Sequence, residues 1–224
     1  MDDELIYAMY PAFRATRELR ALGADELDDG AQEIEELFKE RADRVTVRGT
    51  YSTVGFRADA DLLCWWHGPS LDALRGLLVA FRRTRAGRAM ELSHLFLGLT
   101  RPAEFTSDHR PAFVRGEPPK PLVCVYPFVR TAEWYLLPRE ERAALLREHG
   151  ELGREYPDVL ANTTSGFGLG DWEWILAFEA DDPGRLVDCI RRLRDARARL
   201  YTKVEVPFVT GLRKDVRAVL ADMA

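Results

Sequence analysis

The chain is poor in the residues that build disulfide frameworks and zinc sites, and it has no long apolar run. Its cysteines, Cys64, Cys124 and Cys189, each lie within an apolar stretch and show no CxxC spacing. An odd, sparse set indicates buried thiols in a reducing compartment. No stretch approaches the roughly 20 apolar residues that a membrane helix requires, and the acidic residues 1–4 do not resemble a signal peptide. The sequence therefore predicts a soluble, cytoplasmic protein without a membrane span.

An excess of basic charge is also lacking. The 224 residues include 32 Lys and Arg against 37 Asp and Glu, a formal net charge of −5. Nucleic-acid binding needs a dominant basic surface, so we expect no nucleic-acid partner. Apolar residues make up 46% and charged residues 31% of the chain, which is typical of a globular protein with one large domain or two small ones.

What the sequence does contain is an internal repeat. Residues 7–14 and residues 124–130 are both short apolar strands that lead into Tyr-Pro, with an arginine a few residues later. Each is followed by a helical stretch, a strand that ends near a Gly-Phe pair, an acidic turn with an apolar strand, a second helix and a closing strand. The predicted helices are residues 25–41, 70–85, 140–156 and 182–199, with a short terminal helix at 212–224.

The order strand–helix–strand–strand–helix–strand, present twice, predicts an α+β fold of two ferredoxin-like βαββαβ repeats. Packing their antiparallel sheets face to face would bury the apolar face of each and give a dimeric α+β barrel. The alternative is that the two halves resemble each other by chance, and the shared motifs argue against it. We predict an N-terminal repeat at 1–100, a proline-rich extended linker at 101–120 and a C-terminal repeat at 121–224 that carries the site.

The two repeats differ at one helix face. In the second repeat this face carries Leu145 and His149, whereas the first repeat has apolar or acidic residues near 33–37. Gly150 and Gly153 lie beside the histidine, although a glycine inside a helix costs about 1 kcal/mol relative to alanine. A large flat ligand that approaches the backbone closely would explain both glycines.

His149 is the candidate metal ligand, although a histidine on an apolar helix face is more often a core residue. No second His or Cys stands at metal-ligand spacing from it, which argues against a zinc cage made by the protein alone. A porphyrin-bound iron needs only one axial histidine, because the macrocycle supplies four nitrogens. The other imidazole nitrogen needs a hydrogen-bond acceptor. The sequence does not identify this acceptor, and Glu205 is one candidate.

Three segments carry a family resemblance: residues 126–138, 147–154 and 170–174. In these segments the chain resembles the coproheme decarboxylases, which are related to the chlorite dismutases. The segment that ends at His109 is typical of the actinobacterial branch. Further ordered matches, at residues 47–51, 57–61 and 101–105, extend the similarity over nearly the whole chain.

The resemblance implies a hydrogen-peroxide-dependent oxidative decarboxylation. Two propionates of iron coproporphyrin III (coproheme) would become vinyl groups and give haem b, the last step of coproporphyrin-dependent haem biosynthesis. By the same resemblance, His149 is the proximal iron ligand, Tyr126 becomes a radical that takes hydrogen from the propionate, and His109 deprotonates the peroxide. Arg130 and Trp134 would line the propionate side. The resemblance also implies a homopentamer, and we expect transient contact with coproporphyrin ferrochelatase.

Other interpretations of these residues and of the fold remain open at this point. Tyr126 precedes a proline as Tyr10 does, so it could be structural, and His109 could be a solvated loop histidine. We interpret His67 and His94 as structural. A haem-binding carrier would need no redox-active tyrosine, and a purely structural protein would bind no porphyrin. A chlorite dismutase-like haem enzyme relies on a distal arginine that no arginine of this chain matches, so we expect little chlorite decomposition.

Overall fold

The computed structural model describes residues 5–101 and 110–224, which form two compact units. Unit 1 comprises Met1–Thr100 together with Val209–Ala224, and unit 2 comprises Arg101–Phe208. No helix in the described ranges is long and apolar enough to cross a membrane. His109, one of the predicted catalytic residues, lies outside the described residues.

Unit 1 contains a βαββαβ arrangement with two added elements at its edge. The elements are β1 (Tyr7–Ala15), α1 (Arg17–Arg20), α2 (Ala24–Glu40), β2 (Thr46–Ser52), β3 (Leu62–Gly68), α3 (Leu71–Phe81), α4 (Arg85–Arg88), β4 (Met90–Leu99), β9 (Val209–Lys214) and α8 (Val216–Met223). Its sheet has the order β4-β1-β3-β2-β9, and all neighbouring strands are antiparallel.

The core of unit 1 lies between this sheet and its helices. On α2, Leu27, Ala31 and Ile34 recur at helical spacing and are buried against the sheet. The Ser70 side chain begins α3 by accepting a hydrogen bond from the Ala73 amide, which satisfies one of the free amides at a helix start. Unit 1 is therefore held together by helix faces that the apolar pattern defines.

Unit 2 repeats the same arrangement. The elements are β5 (Leu122–Arg130), α5 (Ala132–Leu136), α6 (Arg139–Gly153), β6 (Leu160–Ser165), β7 (Trp174–Ala180), α7 (Pro183–Leu193), a short 3-10 helix (Arg197–Tyr201) and β8 (Thr202–Val204). Its sheet has the order β8-β5-β7-β6, again antiparallel throughout, which matches the order β4-β1-β3-β2 of unit 1. The prediction of two βαββαβ repeats is confirmed.

The C-terminal tail does not follow the range predicted for the second repeat. We predicted this repeat at 121–224, but Val209–Ala224 belongs to unit 1. The strand β9 pairs with β2 at residues 50–52, and α8 buries Val219 and Leu220 in the core of unit 1. Since β8 already completes the four strands of unit 2, the apolar tail is buried by extending the other sheet.

The linker between the repeats is not simply extended where the structure describes it. Amides of Val114 and Arg115 donate to the Pro111 carbonyl at 3.0 and 3.2 Å, and Gly116 has a positive φ of 77°. A proline followed by a glycine in the left-handed region is typical of a turn. The extended linker predicted for 101–120 therefore contains a hydrogen-bonded turn in its second half.

A buried polar network ties this linker to the sheet of unit 2. Asn162 on β6 is 1% exposed and Glu179 on β7 is 0% exposed. The Phe113 amide donates to the Asn162 side-chain oxygen at 2.9 Å, and the Lys120 amide donates to the Glu179 carboxylate at 3.0 Å. The Asn162 side-chain amide donates to Glu179 at 3.2 Å. Each buried polar group in this set has a partner, as buried polar groups require.

We expect Asn162→Ala to lower the free energy of unfolding by about 3 kcal/mol, because it leaves a buried amide and a buried carboxylate with fewer partners. Urea unfolding followed by circular dichroism measures the change. The matched control is Thr163→Ala on the exposed face of the same strand, which should change stability by about 0.5 kcal/mol or less. Equal midpoints for the two variants would contradict a structural role of the network.

Candidate functional site

The central strand β5 carries two of the predicted site residues. Tyr126 and Arg130 are four positions apart, and alternate residues of a strand share one face of the sheet. The guanidinium of Arg130 lies 4.6 Å from the ring centroid of Phe128, the residue between them on that face. One strand therefore presents a phenol and a guanidinium on the same side.

Tyr126 is buried in an aromatic and apolar environment. It is 4% exposed, and its ring stacks on Phe208 at a centroid distance of 4.4 Å and on Phe178 at 6.1 Å. Burial is the main cause that raises the pKa of Tyr126 far above the usual range of a phenol. Tyr126 is therefore neutral at physiological pH and keeps the O–H hydrogen that a one-electron oxidation would release.

Arg130 is a largely buried cation. Its Nη1 donates to the carbonyl of Ala198 at 2.9 Å, and its guanidinium lies 4.0 Å from the Trp134 ring centroid. Burial lowers the pKa of Arg130 to about 10, so it remains charged at neutral pH. Within the described ranges 5–101 and 110–224, no carboxylate forms an ion pair with this guanidinium. The Glu205 and Glu173 carboxylates act on its charge without forming an ion pair, and a largely buried cation in this position fits a ligand that brings a carboxylate.

Trp134 connects Arg130 to the helix that carries His149. Its side chain is buried on α5 and packs in one cluster with Leu145 of α6 and Ala198. The end of α6 is also fixed, because the Glu148 carboxylate accepts hydrogen bonds from the backbone N–H (3.0 Å) and the Nε (2.7 Å) of Arg197. These contacts hold α6 beside the Arg130–Trp134 pair.

His149 lies four residues after Leu145 on α6, so the two side chains share one helix face. The histidine is half-buried. A Cβ atom added at the adjacent Gly150 would meet no described atom within 4 Å, and one at Gly153 would meet only Leu193 at 3.8 Å. Side chains would therefore fit at both glycines. A single half-buried histidine on α6, together with the Arg130 guanidinium on β5, is a set of groups that fits an iron porphyrin carrying carboxylates.

Glu205, the candidate acceptor for the His149 imidazole, is engaged elsewhere. Its carboxylate accepts hydrogen bonds from the guanidiniums of Arg194 and Arg199. It follows β8, whose Val204 pairs with Val129 of β5, so it lies near the end of α7 and the 3-10 helix. The structure thus gives Glu205 two arginine partners.

The structure brings some of the predicted residues together. Arg130 and Trp134 are in contact, Tyr126 lies on the same strand face as Arg130, and His149 lies one helical turn beyond a Trp134 contact. Sequence reasoning missed the cluster around Glu205. The signal for it was a run of five arginines within residues 191–199.

Comparison with known proteins places the chain in a family. Residues 28–214 match the protein-family model for chlorite dismutase. The chain belongs to the chlorite dismutase family. Within this family it is 46% identical over 226 residues to the coproheme decarboxylase of Mycolicibacterium smegmatis, covering 100% of this chain and 96% of that protein. It is 31% identical over 186 residues to a coproheme decarboxylase of Thermus thermophilus, covering 77% of this chain and 74% of that protein.

Solved structures of the chlorite dismutase family share the fold. A mutant of the chlorite dismutase from Candidatus Nitrospira defluvii superposes with a TM-score of 0.88 at 21% identity, covering 100% of this chain and 96% of that one. The same enzyme in complex with imidazole gives a TM-score of 0.87 at 21% identity, covering 97% and 94%. The predicted α+β fold class is confirmed by this similarity.

Proposed function

We propose that this member of the chlorite dismutase family is a coproheme decarboxylase that converts coproheme to haem b. Full-length identity of 46% to the coproheme decarboxylase of M. smegmatis supports this activity. The observation that carries the proposal is the pairing on β5 of a buried phenol, Tyr126, with a guanidinium, Arg130, that has no ion-pair partner among the described residues. The first is an oxidisable group and the second binds carboxylates.

The reaction removes carbon dioxide and two hydrogen atoms from each of two propionates. One hydrogen peroxide is reduced to two waters for each vinyl group formed, so atoms and electrons balance. When bound, coproheme supplies the iron that activates the peroxide. His149 would hold this iron through one imidazole nitrogen.

Tyr126 transfers the hydrogen in this proposal. Its phenol loses the O–H hydrogen on oxidation, and the resulting oxygen radical takes a hydrogen atom from the propionate carbon attached to the ring. Loss of a second electron from that carbon to the peroxide-derived oxidant, together with departure of carbon dioxide, leaves the vinyl group. The raised pKa of Tyr126 keeps the phenol protonated for the first step.

Arg130, Trp134 and His109 position the reactants in this proposal. Arg130 donates paired hydrogen bonds to a propionate, and its contact with the Trp134 ring holds the guanidinium in place. Four residues of a strand span about 13 Å, so Tyr126 and Arg130 reach different parts of one macrocycle. His109 takes the peroxide proton, a role that an imidazole can fill near neutral pH. We propose further that the enzyme is a cytoplasmic homopentamer that contacts coproporphyrin ferrochelatase transiently.

Titrating the coproheme-loaded protein with hydrogen peroxide, and following the porphyrin by mass spectrometry, tests the activity. We expect two successive losses of carbon dioxide and an end product identical to haem b, with no conversion in the sample that receives no peroxide. A protein that binds coproheme but leaves it unchanged would be a carrier. Rapid oxygen release from chlorite by the haem-loaded protein would instead indicate a chlorite dismutase.

A further inference from the structure

Two arginines of unit 2 share one carboxylate. Arg194 at the end of α7 and Arg199 in the 3-10 helix both donate through Nη1 to the same oxygen, Oε2, of Glu205. The side chain of Glu205 is 12% exposed, and those of Arg194 and Arg199 are 34% and 42% exposed. The cluster is thus accessible on its arginine side.

This cluster adjoins the candidate site. Val204 pairs with Val129 of β5, and Phe208 stacks on Tyr126, so the segment that contains Glu205 runs along β5 beside the phenol. Burial is the largest cause of the raised pKa of Tyr126, and both charges also act on it, since Glu205 raises it and Arg194 lowers it.

Arg130 links the cluster to the carboxylate-binding part of the site. Its Nη1 bonds to the carbonyl of Ala198, the residue directly before Arg199. Burial lowers the pKa of Arg130 and the Glu205 charge raises it, so the carboxylate that pairs with Arg194 and Arg199 also acts on a third guanidinium. The two nearby carboxylates are Glu205 and Glu173, and the latter accepts hydrogen bonds from the Arg130 amide at 2.7 Å and the Tyr135 hydroxyl at 2.6 Å.

The pairing leaves donors of both arginines unused by Glu205. Each guanidinium has five N–H donors, and the strongest arginine–carboxylate pairs are bidentate. Here Arg194 and Arg199 each give one nitrogen to a single oxygen. The side chain of glutamate, two methylene groups and a carboxylate, is also the same chemical group as a porphyrin propionate. A propionate of a ligand and Glu205 can therefore compete for the same two guanidiniums.

We propose that Arg194 and Arg199 bind a carboxylate of the porphyrin substrate, and that Glu205 is an internal competitor that occupies them when no substrate is bound. This assignment rests on the proposed function for the identity of the ligand. It makes the cluster a determinant of specificity, because a porphyrin with four carboxylates can displace Glu205 and still satisfy Arg130. Because the cluster adjoins Tyr126, the carboxylate it takes is one of the two reacting propionates. Protoporphyrin IX carries vinyl groups at those two positions and therefore has no carboxylate for the cluster.

Binding of metal-free porphyrins to the full-length protein, followed by porphyrin fluorescence, tests this role without iron or peroxide. We expect Glu205→Gln to tighten binding of coproporphyrin III about tenfold, because the competing charge is lost. We expect Arg199→Gln to weaken it about tenfold, because a charge-assisted hydrogen bond is lost. Binding of protoporphyrin IX, which has two carboxylates, should change by about twofold or less in either variant.

The matched control is Glu155→Gln, which removes a glutamate that pairs with Arg192 at 2.9 Å elsewhere on unit 2 and should leave both affinities unchanged. The proposal is overturned if Glu205→Gln weakens or does not alter coproporphyrin binding, or if it shifts both porphyrins equally. If the Glu205→Gln variant does not fold, the coproporphyrin III affinity of Arg199→Gln, a variant at a more exposed position, decides the test. An unchanged affinity in that variant would overturn the proposal. A failure of peroxide-driven decarboxylation would overturn the proposed function without touching these affinities.

Discussion

Tyr126→Phe is expected to abolish decarboxylation while leaving coproheme binding nearly intact. The substitution removes only the hydroxyl, and the ring keeps its stacking on Phe208 and Phe178. Without an O–H bond, the side chain can neither release nor regain a hydrogen atom at that position. We expect a conversion rate below about 1% of that of the unmodified protein, which corresponds to a barrier higher by about 2.7 kcal/mol. Stopped-flow spectra and product mass measure the rate, and a coproheme titration measures the affinity.

The internal repeat offers a matched control for this prediction. Tyr10 stands before Pro11 on β1 as Tyr126 stands before Pro127 on β5, and both tyrosines are buried. Tyr10→Phe therefore removes the same atom from the equivalent strand position in the other unit, and it should leave the rate of conversion unchanged. If Tyr126→Phe converts coproheme as fast as Tyr10→Phe does, Tyr126 is only structural and the radical role is wrong.

Much of the fold was predictable because local patterns determine it. The helix predicted at 140–156 is found at Arg139–Gly153, and the strand predicted to lead into Tyr126 is β5. These elements follow from apolar spacing and from repeated motifs, which are properties of neighbouring residues. The tail was assigned to the wrong repeat because its partner is distant in sequence. Strand β9 pairs with Thr50–Ser52, and no local pattern indicates which sheet edge an apolar strand will join.

Site residues that lie in one local motif were predicted, and those that depend on contacts between distant segments were missed. Arg130 and Trp134 lie in one short motif, and the structure places the guanidinium 4.0 Å from the indole ring centroid. The arginines around Glu205 depend on the register of β8 against β5 and on the end of α7, which spacing alone does not give. The linker offers Lys120 as another cation near this unit, but its ammonium pairs with the Asp181 carboxylate.

His149→Ala should remove the protein ligand of the iron and weaken coproheme binding by well over tenfold. Loss of a group that only orients a metal ligand reduces affinity roughly 10- to 100-fold, so loss of the ligand itself should have a larger effect. We expect the Soret band of the loaded protein to shift, and added imidazole to restore it by occupying the space left by the side chain. The control is His94→Ala, because His94 lies in unit 1 with its Nε2 3.1 Å from Asp59 and should not affect the spectrum.

Metal-free coproporphyrin III separates iron ligation from carboxylate recognition in the same variant. It carries the same four carboxylates but no iron, so its affinity should depend on Arg130 and not on His149. His149→Ala is therefore expected to bind the metal-free porphyrin about as well as the unmodified protein does. If both porphyrins lose affinity equally, His149 supports the shape of α6 beside Leu145 and is not an iron ligand. If the Soret band of His149→Ala matches that of the unmodified protein, another residue holds the iron.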